Sequence, residues 1–315
     1  MGKDYRDIRY IKLHFKVRFL EDTSLPVQKA SMLRGGMGEM LLRTCCISDR
    51  KCEECGFESE CLVRRIMYSK MEIQPEFMSS GDSVGYVVEC DNYKTEFETG
   101  DTLDFRVLLI GKTIVYFSQI LEAFYRLGLS GMGKENAKYT VVEVLNSKKE
   151  PIMDGNDIHM ERVVVNKLGD YIDYRLKKTA KNDTDSVLIK FDSPLSIKYR
   201  GEQIDEFDVE AIVKALERRL YILCCFEGIQ VDKNLYVGEY PDINVLKCKK
   251  IDVPRYSFRK SEKMVLWGLE GEVGLEGVNK DLLELLLTGE LIHIGKNTSF
   301  GFGKYRVVNL EELWN

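Results

Sequence analysis

The sequence predicts an α+β protein made of two halves on one plan. Each half runs strand, helix, two strands, helix, strand. Three observations predict it. From Ile11 to Phe19, apolar residues alternate strictly with Lys12, His14, Lys16 and Arg18, the period of two that marks a half-buried strand. The order β-α-β-β-α-β can then be followed twice, once in 1–147 and once in 148–315. Finally, each half closes with a helix, a glycine loop and a last strand, the loops lying at 128–133 and 295–303. The expected architecture is a pair of tandem ferredoxin-like (RRM-like) domains with a C-terminal glycine-rich loop.

The elements follow in order. A helix begins near Ser31, with Leu33, Met37, Met40, Leu41 and Thr44 on one face. Gly35, Gly36 and Gly38 weaken its first turns, so it is expected to pack closely against a sheet or another backbone. A cysteine-rich loop spans 45–61. Strands are expected at 84–90 and 102–110, then a helix from Thr113 to Leu127 with Phe117, Ile120, Leu121 and Phe124 inward, then a strand at 138–145. Residues 146–157, with Pro151 and Gly155, read as the linker. Residues 158–185 read as a hairpin inserted before the second core. That core starts with strand material from Val187 to Arg200, broken at Pro194. Its helix spans Val209–Phe226, with Val209, Ile212, Val213, Leu216, Leu220 and Leu223 facing in. Strands at 247–257 and 263–275, a short helix at 280–288, a strand at 290–294, the glycine loop and a final strand at 304–310 complete it.

Composition narrows the function. The chain has 315 residues, 44% of them apolar and 31% charged, as in a soluble globular protein of two ordinary domains. A net charge of -5 argues against a protein that coats nucleic acid indiscriminately. Local basic surfaces remain, because cations gather at 12–18, 175–181, 247–263 and 296–306. The N-terminus carries no secretory pattern, and Arg6 stands where a myristoylation signal needs Ser or Thr. No apolar run approaches the roughly 20 residues of a membrane span. A cytoplasmic protein with no membrane partner is expected, and its nine cysteines are not a disulfide framework.

The stretch His293–Arg306 is the most informative. Glycines let backbone amides line a concave loop, and Lys296, Lys304 and Arg306 suit a phosphate. Phe300 and Phe302 suit base stacking. Gly128 to Lys134 imitates a nucleotide-binding loop, but Glu135 replaces the hydroxyl that would ligate Mg²⁺ and a helix precedes the loop, so nucleotide hydrolysis is not expected. Cys46, Cys52, Cys55 and Cys61 could close a tetrahedral zinc site, with Cys45 a spare that could replace Cys46. An iron–sulfur cluster and ordinary cysteines are the other readings. Of the three histidines, His293 adjoins the glycine loop, His14 lies on the cationic strand face and His159 in the inserted segment. Arg255 to Lys263 mixes cations, aromatics and hydroxyls and reads as a sugar-phosphate contact or a solvated turn.

Taken in order, several motifs resemble those of the CRISPR repeat-processing endoribonucleases of the RAMP superfamily. They are Leu33-Arg-Gly-Gly-Met-Gly38 with the cysteine loop, Leu127-Gly-Leu-Ser-Gly-Met-Gly133, Asp192-Ser-Pro-Leu-Ser-Ile-Lys198, Arg218-Arg219, Arg255-Tyr-Ser-Phe-Arg259, Trp267-Gly-Leu-Glu-Gly271 and His293 through Gly303. The resemblance spans nearly the whole chain. It implies binding of precursor CRISPR RNA and metal-independent cleavage within its repeats, by attack of a 2′-hydroxyl on the adjacent phosphorus. The products would be a 2′,3′-cyclic phosphate and a 5′-hydroxyl, with no catalytic cofactor and at most a structural zinc. Many members place a histidine in or near the first helix, whereas residues 27–46 here hold none. His293 is therefore the expected acid–base residue and Lys296 the charge stabiliser, with His14 second and a lysine- or tyrosine-based site also open. Arg34, Arg255, Arg259, Gly295, Lys296, Ser299, Phe300, Gly301, Gly303 and Lys304 are the expected RNA contacts. CRISPR effector-complex proteins are a further class of partner. The alternative functions are a non-catalytic RNA-binding subunit of such a complex and a zinc-stabilised interaction protein.

Overall fold

A computed structural model describes residues 4–69, 71, 75–78, 84–155, 157–179, 185–257 and 262–309. Backbone contacts divide the chain into two units. Residues 9–165 form the body of the N-terminal unit; the residues before Arg9, with Asn166–Tyr256 and those from Glu262 onward, form the C-terminal unit.

In the N-terminal unit, strand β1 (Arg9–Phe19) is followed by helix α1 (Ala30–Cys45) and a short helix α2 (Leu62–Met67). Strands β2 (Tyr86–Glu89) and β3 (Thr102–Ile110), helix α3 (Phe117–Ser130) and strand β4 (Tyr139–Leu145) come next. The sheet order β2-β3-β1-β4, antiparallel throughout, is that of a ferredoxin-like domain. Ile11, Leu13, Phe15, Val17 and Phe19 are all at most 1% exposed, as their alternation requires. The glycines of α1 do mark close approach, but to neighbouring helices. A Cβ on Gly36 would lie 2.6 Å from Leu127 of α3, and one on Gly38 2.7 Å from Met67 of α2.

The expected linker is not one. Strand β5 (Pro151–Asp154) pairs with β4, and β6 (Asp157–Ile158) pairs with β5, extending this sheet. The unit therefore ends near Val165 rather than at 147. Pro151 is the first residue of β5, a position where the sheet tolerates the missing N–H.

The C-terminal unit opens with helix α4 (Leu168–Thr179) where a hairpin was expected. Leu168 and Ile172 are buried one turn apart, a helical spacing that the surrounding charges obscure. Strand β7 (Ser186–Leu195), helix α5 (Val209–Glu227), strands β8 (Asp242–Ser257) and β9 (Glu262–Glu276), helix α6 (Lys280–Ile292) and strand β10 (Tyr305–Asn309) repeat the plan. Their order is β8-β9-β7-β10. Asp208 caps α5 by accepting from Ala211 N, and Asn279 caps α6 by accepting from Leu282 N. Helix α6 runs through the expected strand at 290–294. Leu282, Leu285, Leu286, Leu287, Leu291 and Ile292 are all buried, and a helix buried on most sides carries no readable period.

One piece of the C-terminal unit comes from the start of the chain. Ile8 accepts from Leu168 N, while Tyr5 and Arg6 both donate to Glu284 of α6 at 2.9 Å. Glu284 is 3% exposed, so its charge is held by those two donors. Among the described residues, no helix is long and apolar enough to cross a membrane.

Candidate functional site

Two stretches distant in sequence clasp each other in the C-terminal unit. The antiparallel register of β7 shifts between Phe191 and Leu195, where Pro194 interrupts the ladder. The irregularity turns the backbone of residues 192–196 toward the glycine loop. Pro194 O accepts from Gly303 N at 2.9 Å, Ser196 O accepts from Lys296 N at 2.7 Å, and Lys304 N donates to Ser193 Oγ at 2.9 Å. Lys304 O in turn accepts from Asp192 N at 2.9 Å. Inside the loop, Ile294 N donates to Gly303 O, and Phe300 N and Phe302 N both donate to Asn297 O.

Two glycines make this possible. At Gly295, φ is +80° and a Cβ would lie 2.5 Å from Ser196 O; at Gly303, φ is +70° and a Cβ would lie 1.8 Å from Ile294 O. An L side chain fits neither. Most of the loop's amides are thus taken by the protein itself, and fewer face outward than the glycine content suggests.

His293 is a structural member of this clasp. It is fully buried, its backbone lies at φ +57°, and its Nδ1 is 3.0 Å from Phe302 O. A buried imidazole bonded to the loop it precedes holds the loop's shape and does not reach a ligand outside. Two of the expected RNA contacts, Ser299 at 4% exposure and Gly303, are buried. Phe302, expected to stack on a base, is 2% exposed and belongs to the core.

What the clasp presents outward is different. Lys296 is exposed and makes no ion pair with any described residue. Phe300 is partly exposed, and the Arg255 guanidinium lies 4.2 Å from its ring centroid. Gly301, at φ +81°, and Lys304 are partly exposed. Arg306 is held by Asp192 through bonds of 2.7 and 3.1 Å. Beneath the loop, buried Arg219 donates to Ile292 O at 3.3 Å and closes the last turn of α6. Arg259 lies outside the described residues.

In the N-terminal unit the cationic face of β1 proves largely neutralised. Lys12 and Arg106 both pair with Glu89, at 3.2 and 2.8 Å, Arg106 also bonds Asp91, and Lys16 lies 3.8 Å from Glu143. These carboxylates come from β2, β4 and the turn after β2, so the alternation in β1 alone did not reveal them. His14 faces Arg106 across the ladder. Burial, then the charges of Lys12 and Arg106, push its pKa down to about 4. A neutral imidazole with so low a pKa is a poor general base near pH 7. Arg34 is partly exposed and its guanidinium lies 5.9 Å from the Tyr86 ring centroid.

The near-miss nucleotide loop is a tight turn. Met132 and Ala137 form a β-bridge across it, and Glu135 accepts from Thr23 Oγ1 and Ser24 N. The residue that breaks the nucleotide pattern is the one that pins the turn.

The zinc expectation is corrected too. Among the described residues, no three His, Cys, Asp or Glu side chains are placed to hold a metal ion, although the whole of 45–61 is described.

Comparison with known proteins agrees with the motif order. A family profile described as CRISPR-associated endoribonuclease Cas6 matches residues 189–305, the segment that contains both halves of the clasp. Residues 189–305 are a Cas6 domain. A second profile, described only as an N-terminal domain, matches residues 8–166. No curated protein matches it significantly by sequence. Among solved structures, Thermus thermophilus Cas6 superposes with a TM-score of 0.51 at 12% identity, over 96% of this chain and 99% of that one. A Cas6 product complex gives 0.52 at 13% identity, over 95% and 99%. A chain of a partial Cas6-RT-Cas1–Cas2 complex gives 0.55 at 11% identity over 96% of this chain, which spans only 46% of the other's length. At such identities the likeness establishes the shared tandem fold.

Proposed function

We propose that this chain is an endoribonuclease that binds CRISPR repeat RNA and cuts precursor CRISPR RNA within its repeats. The cut is metal-independent: the 2′-hydroxyl attacks the adjacent phosphorus, leaving a 2′,3′-cyclic phosphate and a 5′-hydroxyl. The observation that carries this reading is the clasped loop with Lys296 exposed on its rim and in no ion pair with a described residue. A rigid loop can hold a phosphodiester in line for attack. A lysine without a carboxylate partner is available to the charge that grows on the phosphorane oxygens. In this reading His293 positions the loop, Lys296 stabilises the charge, and Arg255, Phe300 and Lys304 contact the strand.

The burial of His293 favours a second reading, a non-catalytic RNA-binding subunit of a CRISPR effector complex. One experiment separates the two. Repeat RNA incubated with the full chain in EDTA is expected to be cut, and a 2′-deoxy substitution at the cut site is expected to abolish the cut. A melting curve in the same EDTA buffer checks that the protein stays folded. Tight binding without cleavage establishes the second reading, and absence of binding removes both.

Lys296→Ala is expected to lower single-turnover cleavage by about 10²-fold, the usual cost of losing one charge-stabilising donor, with a small effect on RNA affinity. Lys296→Arg is expected to recover part of the rate. A rate near wild type in Lys296→Ala would remove Lys296 from the chemistry.

A further inference from the structure

The cysteine loop does not gather its thiols for one ion, yet its cysteines line one space. Cys45, Cys46, Cys52, Cys55 and Cys61 all line a single hollow of about 240 Å³ in the N-terminal unit. From this and the features below, we propose that the hollow is the seat of a Cys₄-ligated iron–sulfur cluster, held by Cys46, Cys52, Cys55 and Cys61.

The first argument is spacing. A tetrahedral zinc site brings every sulfur to about 2.3 Å from one centre and leaves no hollow between them. In an iron–sulfur cluster each thiolate binds a cluster iron, and irons and bridging sulfides fill the space between the thiolates. Four cysteines that line one hollow without being grouped for a single ion fit the second geometry better than the first.

The second argument is that the loop lacks a core of its own. No residue from 46 to 61 is buried, and Ile47 and Phe57, which line the hollow, are 74% and 62% exposed. Apolar side chains with nothing to cover are common on loops, but here both border the thiol-lined space. Asp49 and Arg50 stand side by side at positive φ, 45° and 65°, an arrangement that costs free energy in two successive non-glycine residues. That backbone turns the Arg50 amide toward Cys46, to whose Sγ it donates at 3.3 Å. Amide bonds to ligating sulfur are among the protein's means of tuning such clusters. Ligation offsets the cost of ordering a polar loop without apolar burial.

The choice of four among five follows from Cys45. Its Sγ lies 3.4 Å from Thr44 Oγ1 and it belongs to the last turn of α1, whereas Cys46 leaves the helix in an extended conformation. Cys61, just before α2, closes the other end. The cluster would thereby join the end of α1 to the start of α2, and a structural role needs no change of its oxidation state.

The test uses the full chain purified without oxygen, and again after anaerobic reconstitution with ferric and ferrous iron and sulfide. Iron and acid-labile sulfide are expected in equal amounts, about two or about four per chain by cluster type, with charge-transfer absorption in the visible. Cys52→Ser and Cys55→Ser are expected to lose iron and absorption, while Cys248→Ser, outside the loop, keeps both. Circular dichroism and melting of the second unit show whether a variant that lost its iron is otherwise folded. One zinc per chain without sulfide, or neither metal after reconstitution, overturns the proposal. RNA cleavage does not enter the readout, so a failure here is distinct from a failure of the nuclease reading.

Discussion

Gly303→Ala is expected to unclasp the loop and nearly abolish cleavage. The residue lies at φ +70°, and the added Cβ would sit 1.8 Å from Ile294 O, a backbone atom fixed by the end of α6. The Ile294 N to Gly303 O bond and the Gly303 N to Pro194 O bond at 2.9 Å cannot both survive that contact. Left-handed strain and overpacking together should cost on the order of 2–4 kcal/mol locally. Displacing the loop by about an ångström should slow cleavage by about 10²-fold. Gly201→Ala is the control. It has φ +92° but open space around the new Cβ, so it carries strain without a clash, about 1 kcal/mol. Hydrogen exchange over 290–306 and single-turnover cleavage measure both variants. Equal effects from the two would show that the contact with Ile294 does not set the loop.

Glu290→Ala is expected to release both helix α4 and the edge strand β10. Glu290, on α6 and 8% exposed, takes two bonds from Arg175, at 2.7 and 2.9 Å, one from Tyr171 at 3.1 Å and one from Val307 N at 2.6 Å. Arg175 also donates to Val307 O at 2.9 Å, so the outward amide and carbonyl of one edge residue are both satisfied by this pair. Removing the carboxylate leaves a guanidinium and a strand amide with water as their only replacement. Breaking such a largely buried pair costs about 3 kcal/mol. Glu290→Gln keeps the shape and one acceptor and should cost less. Exchange protection in 168–179 and 305–309 should fall together in Glu290→Ala; loss in only one segment would show that the carboxylate does not couple them.

Much of the fold was legible because its signals are local. The alternation in 11–19 gave β1 and its buried face, since a strand with one dry side has no other pattern available. The clustered motifs at 192–198 and 293–303 stood out in the sequence, because glycine, proline and hydroxyl residues are needed wherever backbones bond irregularly. Helix α4 was not legible, because its apolar face is narrow and its docking rests on the buried ion pair with Glu290. Nor was the hairpin of β5 and β6, whose Pro and Gly look the same in a linker as in an edge strand.

The residue roles divide the same way. Sequence placed His293 beside the loop and Lys296 on it. Only packing decided that the imidazole turns inward to Phe302 O while the lysine stays at the surface. The cations of β1 were plain in the sequence, but their carboxylate partners arrive from β2, β4 and the turn after β2. The cysteine spacing was plain in the sequence, and the fold puts these cysteines on the lining of one hollow. By itself the sequence determined the repeated plan, the loop and the chemical types within it, because these follow from periodicity and backbone freedom. Tertiary structure alone decided which side chains are buried, paired or exposed. Those outcomes depend on neighbours contributed by distant segments, which no local pattern encodes.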